Sequence, residues 1–178
     1  ADRPVTVDDI ETALREVGVT SGSTVIVHCS LSRLGWVVGQ AVAVVRALES
    51  GVGGAGTIVM PAHTGVGDPS KWGAPPVPES WWSTIRDSWP AFDPSLTPMR
   101  QMGAVAECFA RQPGVVHSGH PALGFVAVGS RAHELMHPHP LEDALGEGSP
   151  LSRLYDASAD VVLLGVGHDN NTSLHLSE

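Results

Sequence analysis

Ser23-Thr24-Val25-Ile26-Val27-His28-Cys29 runs into Ser30-Leu31-Ser32-Arg33-Leu34-Gly35-Trp36, and a second apolar run, Thr57-Ile58-Val59-Met60, arrives one helix-length later. Both apolar runs are short and β-branched at their centres, and they read as strands. Between them, residues 39–50 place Ala41, Val44, Val45 and Leu48 on one helical face, and the glycines of 51–56 turn the chain back. Strand, loop, helix, strand is a βαβ unit, which implies parallel strands joined by a right-handed crossover. The class that follows is α/β: a layered fold with a mostly parallel central sheet flanked by helices.

Upstream, Thr6 and Asp9 form a capping box for a helix that carries Val7, Ile10, Leu14 and Val17, with Gly18 to end it. Downstream, residues 102–111 repeat the pattern with Met102, Val105, Ala106 and Phe109, and residues 124–128 read as another strand. Ser130 is placed to cap a short helix that ends at Met136. The run His137-Pro138-His139-Pro140 cannot continue it, because each residue before a proline is pushed to extended geometry. Ser149 as N-cap and Pro150 at the first helical position start a helix bearing Leu151, Leu154 and Tyr155. The strand Val161-Val162-Leu163-Leu164 closes the series.

Residues 61–98 interrupt this order. They are rich in proline and hold Trp72, Trp81, Trp82 and Trp89 together with Asp68, Glu79, Asp87 and Asp93. An excursion of this length within a domain is a lid, a binding loop or disorder, and the tryptophans argue against disorder. Rings beside carboxylates suit a polyhydroxylated cation; a loop pinned down by its own tryptophans is the alternative.

With 178 residues the chain can bury a real core. Ten basic residues against nineteen acidic ones give a formal charge of −9, which argues against nucleic acid and suits a cationic ligand. No apolar run is long enough to span a bilayer, and Cys29 and Cys108 show neither a disulfide nor a metal-binding pattern, so a reducing cytoplasm is expected. Oligomeric state is not legible.

Past the last strand come Gly165-Val166-Gly167-His168-Asp169-Asn170-Asn171-Thr172-Ser173-Leu174-His175, a dense polar cluster at a strand's carboxyl end, where ligands bind in open α/β sheets. Asn171 or Thr172 can cap a helix over 173–178, on which His175 and Glu178 share a face. Among nine histidines none falls in an HExxH frame, so no metal is expected. There is no GxSxG elbow, P-loop or GxGxxG fingerprint, although the Ser30–Ser32 loop can offer N–H groups and hydroxyls to an anion.

The segments around Ser30, Pro61-Ala62-His63-Thr64, Arg100-Gln101-Met102-Gly103, His120-Pro121 and Gly165 to His175 together resemble the ordered motifs of the aminoglycoside 3-N-acetyltransferases. The resemblance implies a fold distinct from the common GNAT acetyltransferases, acetyl-coenzyme A as donor and a cationic aminoglycoside as acceptor. Members are about one and a half times this length, so residues 1–178 are expected to be one α/β acetyltransferase domain, the N-terminal two-thirds of a longer chain. By position His168 matches the catalytic histidine. Ser30, Leu31 and Ser32 match the coenzyme loop, with Arg100 and Gly103 nearby; Cys29 stands where many members have serine. Asp68, Trp72, Asp169 and Glu178 are the candidate acceptor residues, Glu178 also being a candidate carboxylate behind the imidazole. The expected mechanism is direct attack in a ternary complex, with His168 as general base. A metal-dependent hydrolase and an inert aminoglycoside- or coenzyme-binding protein are the rivals.

Overall fold

The computed structural model describes residues 3–73 and 76–177. In chain order its elements are α1 (Val7–Glu16), β1 (Thr24–Cys29), α2 (Gln40–Val52), β2 (Thr57–His63), α3 (Trp82–Ser88), α4 (Gly103–Ala110), β3 (Val116–His117), β4 (Leu123–Gly129), α5 (Ala132–Met136), α6 (Pro150–Asp156) and β5 (Asp160–Leu164). The sheet runs in the order β3-β4-β2-β1-β5. β1 pairs in parallel with both β2 and β5, while β4 pairs antiparallel with β2 and with β3. Of the described strands only β4 therefore runs against the rest, so the sheet is mostly parallel.

Pleat alternation divides the core. Val25 and Val27 of β1 lie on one face with Ile58, Met60 and Ala62 of β2 and Val126 of β4, covered by α1, α2 and α4. Ile26, Val59, Phe125 and Ala127 lie on the other, against Leu135 and Met136 of α5 and Leu151 and Leu154 of α6. By the same alternation His28 and His63 belong to this second face.

The capping box of α1 forms as expected: the Thr6 hydroxyl accepts the Asp9 N–H at 3.3 Å, and the Asp9 carboxylate accepts the Thr6 N–H at 2.9 Å. Val17 does not join the apolar face. It is 72% exposed at the helix end, and Val19, just beyond the Gly18 turn, is buried instead. Tyr155 is likewise exposed while Leu151 and Leu154 are buried. Ser149 caps α6 through the Leu151 N–H. Ser130 does not cap α5; its hydroxyl donates to the Ala55 carbonyl and ties the turn before β2 to the end of β4. Residues 172–177 wind as a 3-10 turn rather than an α-helix, with the Asn171 side chain accepting the Ser173 N–H at its start.

β2 also passes through Pro61 and ends at His63, beyond the expected stop at Met60. Its pairing with β4 continues to His63↔Leu123, whereas its pairing with β1 stops at Ile26↔Val59. Proline has no N–H to give, and since the β4 ladder is intact the missing donor falls on the β1 side. The two parallel strands part there.

The excursion after β2 is held by its own residues. Arg86 makes a two-pronged ion pair with Asp68 at 2.7 and 2.9 Å and lies over the Trp82 ring, and Trp72 meets Trp89 edge-to-face at 5.5 Å.

The turn into β2 supplies a stability test. A Cβ on Gly56 would meet the Val52 carbonyl at 2.5 Å and the Ser23 carbonyl at 2.7 Å, backbone atoms that cannot step aside. One on Gly54 would meet nothing within 4 Å. Gly56→Ala should cost about 2–3 kcal/mol in urea unfolding, as overpacking does, while Gly54→Ala should change stability by less than ~1 kcal/mol.

Candidate active site

The carboxyl ends of β1, β2 and β5 open at one edge of the sheet, and three recesses meet there. A cleft of about 540 Å³ is walled by Ser30, Leu31, Ser32 and Trp36 on one side and Gln101, Met102 and Gly103 on the other. A cavity of about 100 Å³ lies in the gap below Pro61, between Val27 and His28 of β1 and Met60 of β2, with Asn170 and Thr172 from the last segment closing it. A second cleft of about 540 Å³ runs from His63, Gly65 and Arg100 to Leu123 at the start of β4. Gln101 and Met102 line all three.

The first cleft is built by local geometry. Ser30 is tied to the end of β5 by its N–H to the Leu164 carbonyl, and Leu31–Arg33 turn as a 3-10 helix from it. The Ser30 and Ser32 hydroxyls are 3.3 Å apart. Gly165 packs so closely that a Cβ there would sit 3.0 Å from the Ser30 carbonyl oxygen, at a φ of +69° that favours glycine in any case. Gly103 opens α4 opposite, also at positive φ. Ser30, Leu31, Ser32 and Gly103 thus share one cleft. Arg100 lines the neighbouring one, its N–H donating to the His63 carbonyl at 2.8 Å.

The expected acceptor residues do not gather here. The Asp68 carboxylate is taken by Arg86 and by the Ser70 N–H, which hold its pKa well below the usual range, and Trp72 is packed against Trp89. Neither lines the three recesses. Asp169 is exposed and accepts a hydrogen bond from the Asn170 amide at 2.9 Å. Glu178 lies outside the described residues.

His168 sits on an exposed 3-10 turn, His168–Asn170, and lines none of the three recesses, although Val166 and Asn170 on either side of it do. All three residues of the turn are exposed, and Asn170 is the one that borders the recesses. His175, two turns on, stands close enough to His63 that its charge depresses the His63 pKa.

Two imidazoles given no role in the sequence, the buried His28 and the part-buried His63, stand beside the inner cavity and the acceptor-side cleft. His28 is 7% exposed, and burial, then its neighbour His63, lowers its pKa to about 4. Burial, followed by His175, His120 and His139, lowers that of His63 to about 4 as well. The Nε2 atoms of both are buried without a hydrogen-bond partner. A histidine closing an otherwise apolar strand was the available signal. Behind them His139 is fixed: its Nε2 faces the Ala144 carbonyl at 2.8 Å and so carries the proton, leaving Nδ1 to accept from Ser118. His120 accepts the Ala122 and Leu123 N–H groups at its Nδ1. Among the described residues no group of three or more His, Cys, Asp or Glu is arranged to hold a metal ion. Burial pushes the Cys29 thiol up to about 11, which leaves it protonated and a poor nucleophile at neutral pH.

Residues 26–178 match the family model described as aminoglycoside 3-N-acetyltransferase. The chain belongs to that family. It is 47% identical over 177 residues to the SPbeta prophage-derived aminoglycoside N(3')-acetyltransferase-like protein YokD of Bacillus subtilis (strain 168), covering 98% of this chain and 65% of that protein. It is 41% identical to aminoglycoside N(3)-acetyltransferase VIII of Streptomyces fradiae, covering all of this chain and 62% of the relative. The crystal structure of YokD superposes with a TM-score of 0.95 at 46% identity, over 99% of this chain and 66% of that one. An AAC-IIIb complex with CoASH matches with a TM-score of 0.82 at 30% identity, over 98% and 65%. AAC-VIa bound to sisomicin matches with a TM-score of 0.85 at 32% identity, also over 98% and 65%. The chain thus spans a little under two-thirds of the length of these relatives. Among the described residues no helix is long and apolar enough to cross a membrane.

The low pKa values of His28 and His63 give a stability test. Both lie below the ordinary imidazole value of 6.5. Between about pH 4 and 6.5 the unfolded chain binds protons that the folded chain refuses, so stability falls as pH drops through that window and does not respond to these groups above it. His63→Gln should reduce the slope of unfolding free energy against pH there by close to one proton, read from urea titrations at several pH values.

Proposed function

We propose that this protein transfers the acetyl group of acetyl-coenzyme A to the 3-amino group of an aminoglycoside, in a ternary complex and without an acetyl-enzyme. The observation that carries the reading is the junction of three recesses at Gln101 and Met102, on a chain of this family, at the one sheet edge where three parallel strands end. The Ser30 cleft receives the donor, as the CoASH complex of a solved neighbour supports. Arg33, on the same turn, forms none of the ion pairs among the described residues and is available to the donor's phosphates. The cleft beyond His63 receives the acceptor, a role supported by the sisomicin-bound neighbour and by the net charge of −9, which attracts a polycation.

The amine arrives largely as an ammonium ion and must lose a proton before its nitrogen can attack the thioester carbon. The C–N bond forms, the C–S bond breaks, and sulfur leaves with the electron pair and takes up a proton. The protonated state of Cys29 supports direct attack rather than a cysteine intermediate. An imidazole from the 168–175 segment takes the amine proton. Motif likeness assigns that task to His168, with His175 as the rival; both are exposed and neither lines the three recesses. Acidic surface and acetyl transfer together make aminoglycoside resistance the role we assign.

The test is thiol release from acetyl-coenzyme A against a panel of aminoglycosides, using the full-length protein. Release with at least one 3-amino acceptor is expected; binding of both ligands without release would leave an inert binder. His168→Ala should lower kcat by ~10²–10⁴, with activity recovering as rising pH supplies free amine, and His175→Ala should stay within about threefold of wild type. The reverse ranking moves the base to His175.

A further inference from the structure

Two of the three non-glycine residues with positive φ among the described residues, Gln40 at +54° and Gln101 at +60°, border the same donor cleft. A side chain in this left-handed region is strained, and such strain persists where the surroundings hold it in place. For Gln101 the holding elements are visible. On one side the Arg100 N–H is bonded to the His63 carbonyl at the end of β2. On the other Gly103 turns at a φ of +81° into α4, whose Val105, Ala106 and Phe109 are buried. The backbone is fixed at both ends by the sheet edge and by the core, and Gln101 spans the bend between them.

Its position explains what the bend provides. Gln101 and Met102 are the residues common to the donor cleft, the inner cavity and the acceptor cleft. The reacting carbon must lie where donor and acceptor meet. Of the two residues there, Met102 offers only a weakly accepting thioether, while Gln101 carries an NH₂ with two donors. The Gln40 amide, across the cleft, is already spent on the Val37 carbonyl at 2.9 Å. That of Gln101 forms no hydrogen bond within the described residues and is open to the cleft.

Resting on the acetyl-transfer reading above, we propose that the Gln101 side chain is a catalytic hydrogen-bond donor to the carbonyl oxygen of the transferring acetyl group. As the amine nitrogen bonds to the thioester carbon, the carbonyl π pair moves onto oxygen. The Gln101 N–H meets the charge that develops there. When the pair returns, the C–S bond breaks and the sulfur leaves with its electrons, so the donor neither gains nor loses a proton. A donor directed at an oxyanion acts chiefly in the transition state, and its loss therefore falls on kcat rather than KM.

Three variants test this. Gln101→Glu keeps the shape but loses the NH₂, Gln101→Leu removes both polar atoms, and Gln101→Gly also relieves the φ of +60°. All three should lower kcat by ~10²–10³, the loss typical of one oxyanion donor, with KM for acetyl-coenzyme A and for the aminoglycoside within about threefold. Gln101→Gly should hold the wild-type Tm or raise it by up to ~2–4 °C, because it removes backbone strain. Wild-type kcat in Gln101→Leu would overturn the assignment. So would a Gln101→Gly protein with a lowered Tm and raised KM for both substrates, which marks a structural part. The two possible failures separate cleanly. Absence of turnover in the wild-type protein removes the acetyl-transfer reading and this donor with it, whereas wild-type turnover with undiminished kcat in Gln101→Leu removes Gln101 alone.

Discussion

Pro61 lies in the middle of the sheet, where a proline is costly because a central strand needs donors on both sides. The structure gives the missing donor to the β1 side and keeps the β4 ladder whole to His63↔Leu123. β1 instead holds its partner on the other flank: its pairing with β5 runs from Val25↔Asp160 to Cys29↔Leu164. The result is a sheet that is continuous at its base and split at its carboxyl edge. The inner cavity occupies the split, lined by Val27 and His28 on one strand and Met60 and Pro61 on the other. Everything assigned to function hangs from the two sides of this opening. Ser30 and Val166 continue from the β1–β5 side, and Arg100 and Gln101 are tied back to the β2 side through His63.

The opening also settles the ionisation of the groups around it. The Nε2 atoms of His28 and His63 are buried without a protein hydrogen-bond partner, and burial makes the charged imidazolium the costly form. His120 and His139, behind them, are anchored by backbone amides and a backbone carbonyl, so each presents a fixed tautomer. The neutral rings of His28 and His63 each keep one nitrogen able to accept a hydrogen bond, and that neutrality is a property of burial.

The βαβ opening, the capping box at Thr6 and Asp9 and the Ser149-Pro150 helix start were legible in the sequence because each rests on local periodicity or a side chain reaching its own backbone. Local winding was less legible. Residues 173–178 read as an α-helix from side-chain spacing, whereas 172–177 wind as a 3-10 turn, a difference that spacing does not mark over so short a segment. Asp68 was misread for a different reason. Its partner Arg86 is 18 residues away, and no spacing rule marks a two-pronged ion pair across an irregular loop. His63 was placed outside the second strand because that strand was expected to stop at Met60, before Pro61, whereas it runs through the proline.

Strain in the described backbone has a pattern that the sequence does not show, since glutamine is not a residue expected in the left-handed region. Gln40 and Gln101 adopt it on opposite walls of one cleft, next to Gly39 and near Gly103, which adopt it without penalty. At Gln40 the return is visible within the chain: the side-chain amide closes onto the Val37 carbonyl and helps fix the start of α2, whose Ala41, Val44 and Leu48 are buried. At Gln101 no such internal return exists among the described residues. A glycine there would relieve the backbone and would leave the buried face of α4 untouched. The strain at Gln101 is held from within the polypeptide, by the Arg100 N–H on the His63 carbonyl and by the buried face of α4, and what it delivers is a side-chain amide at the junction of the clefts.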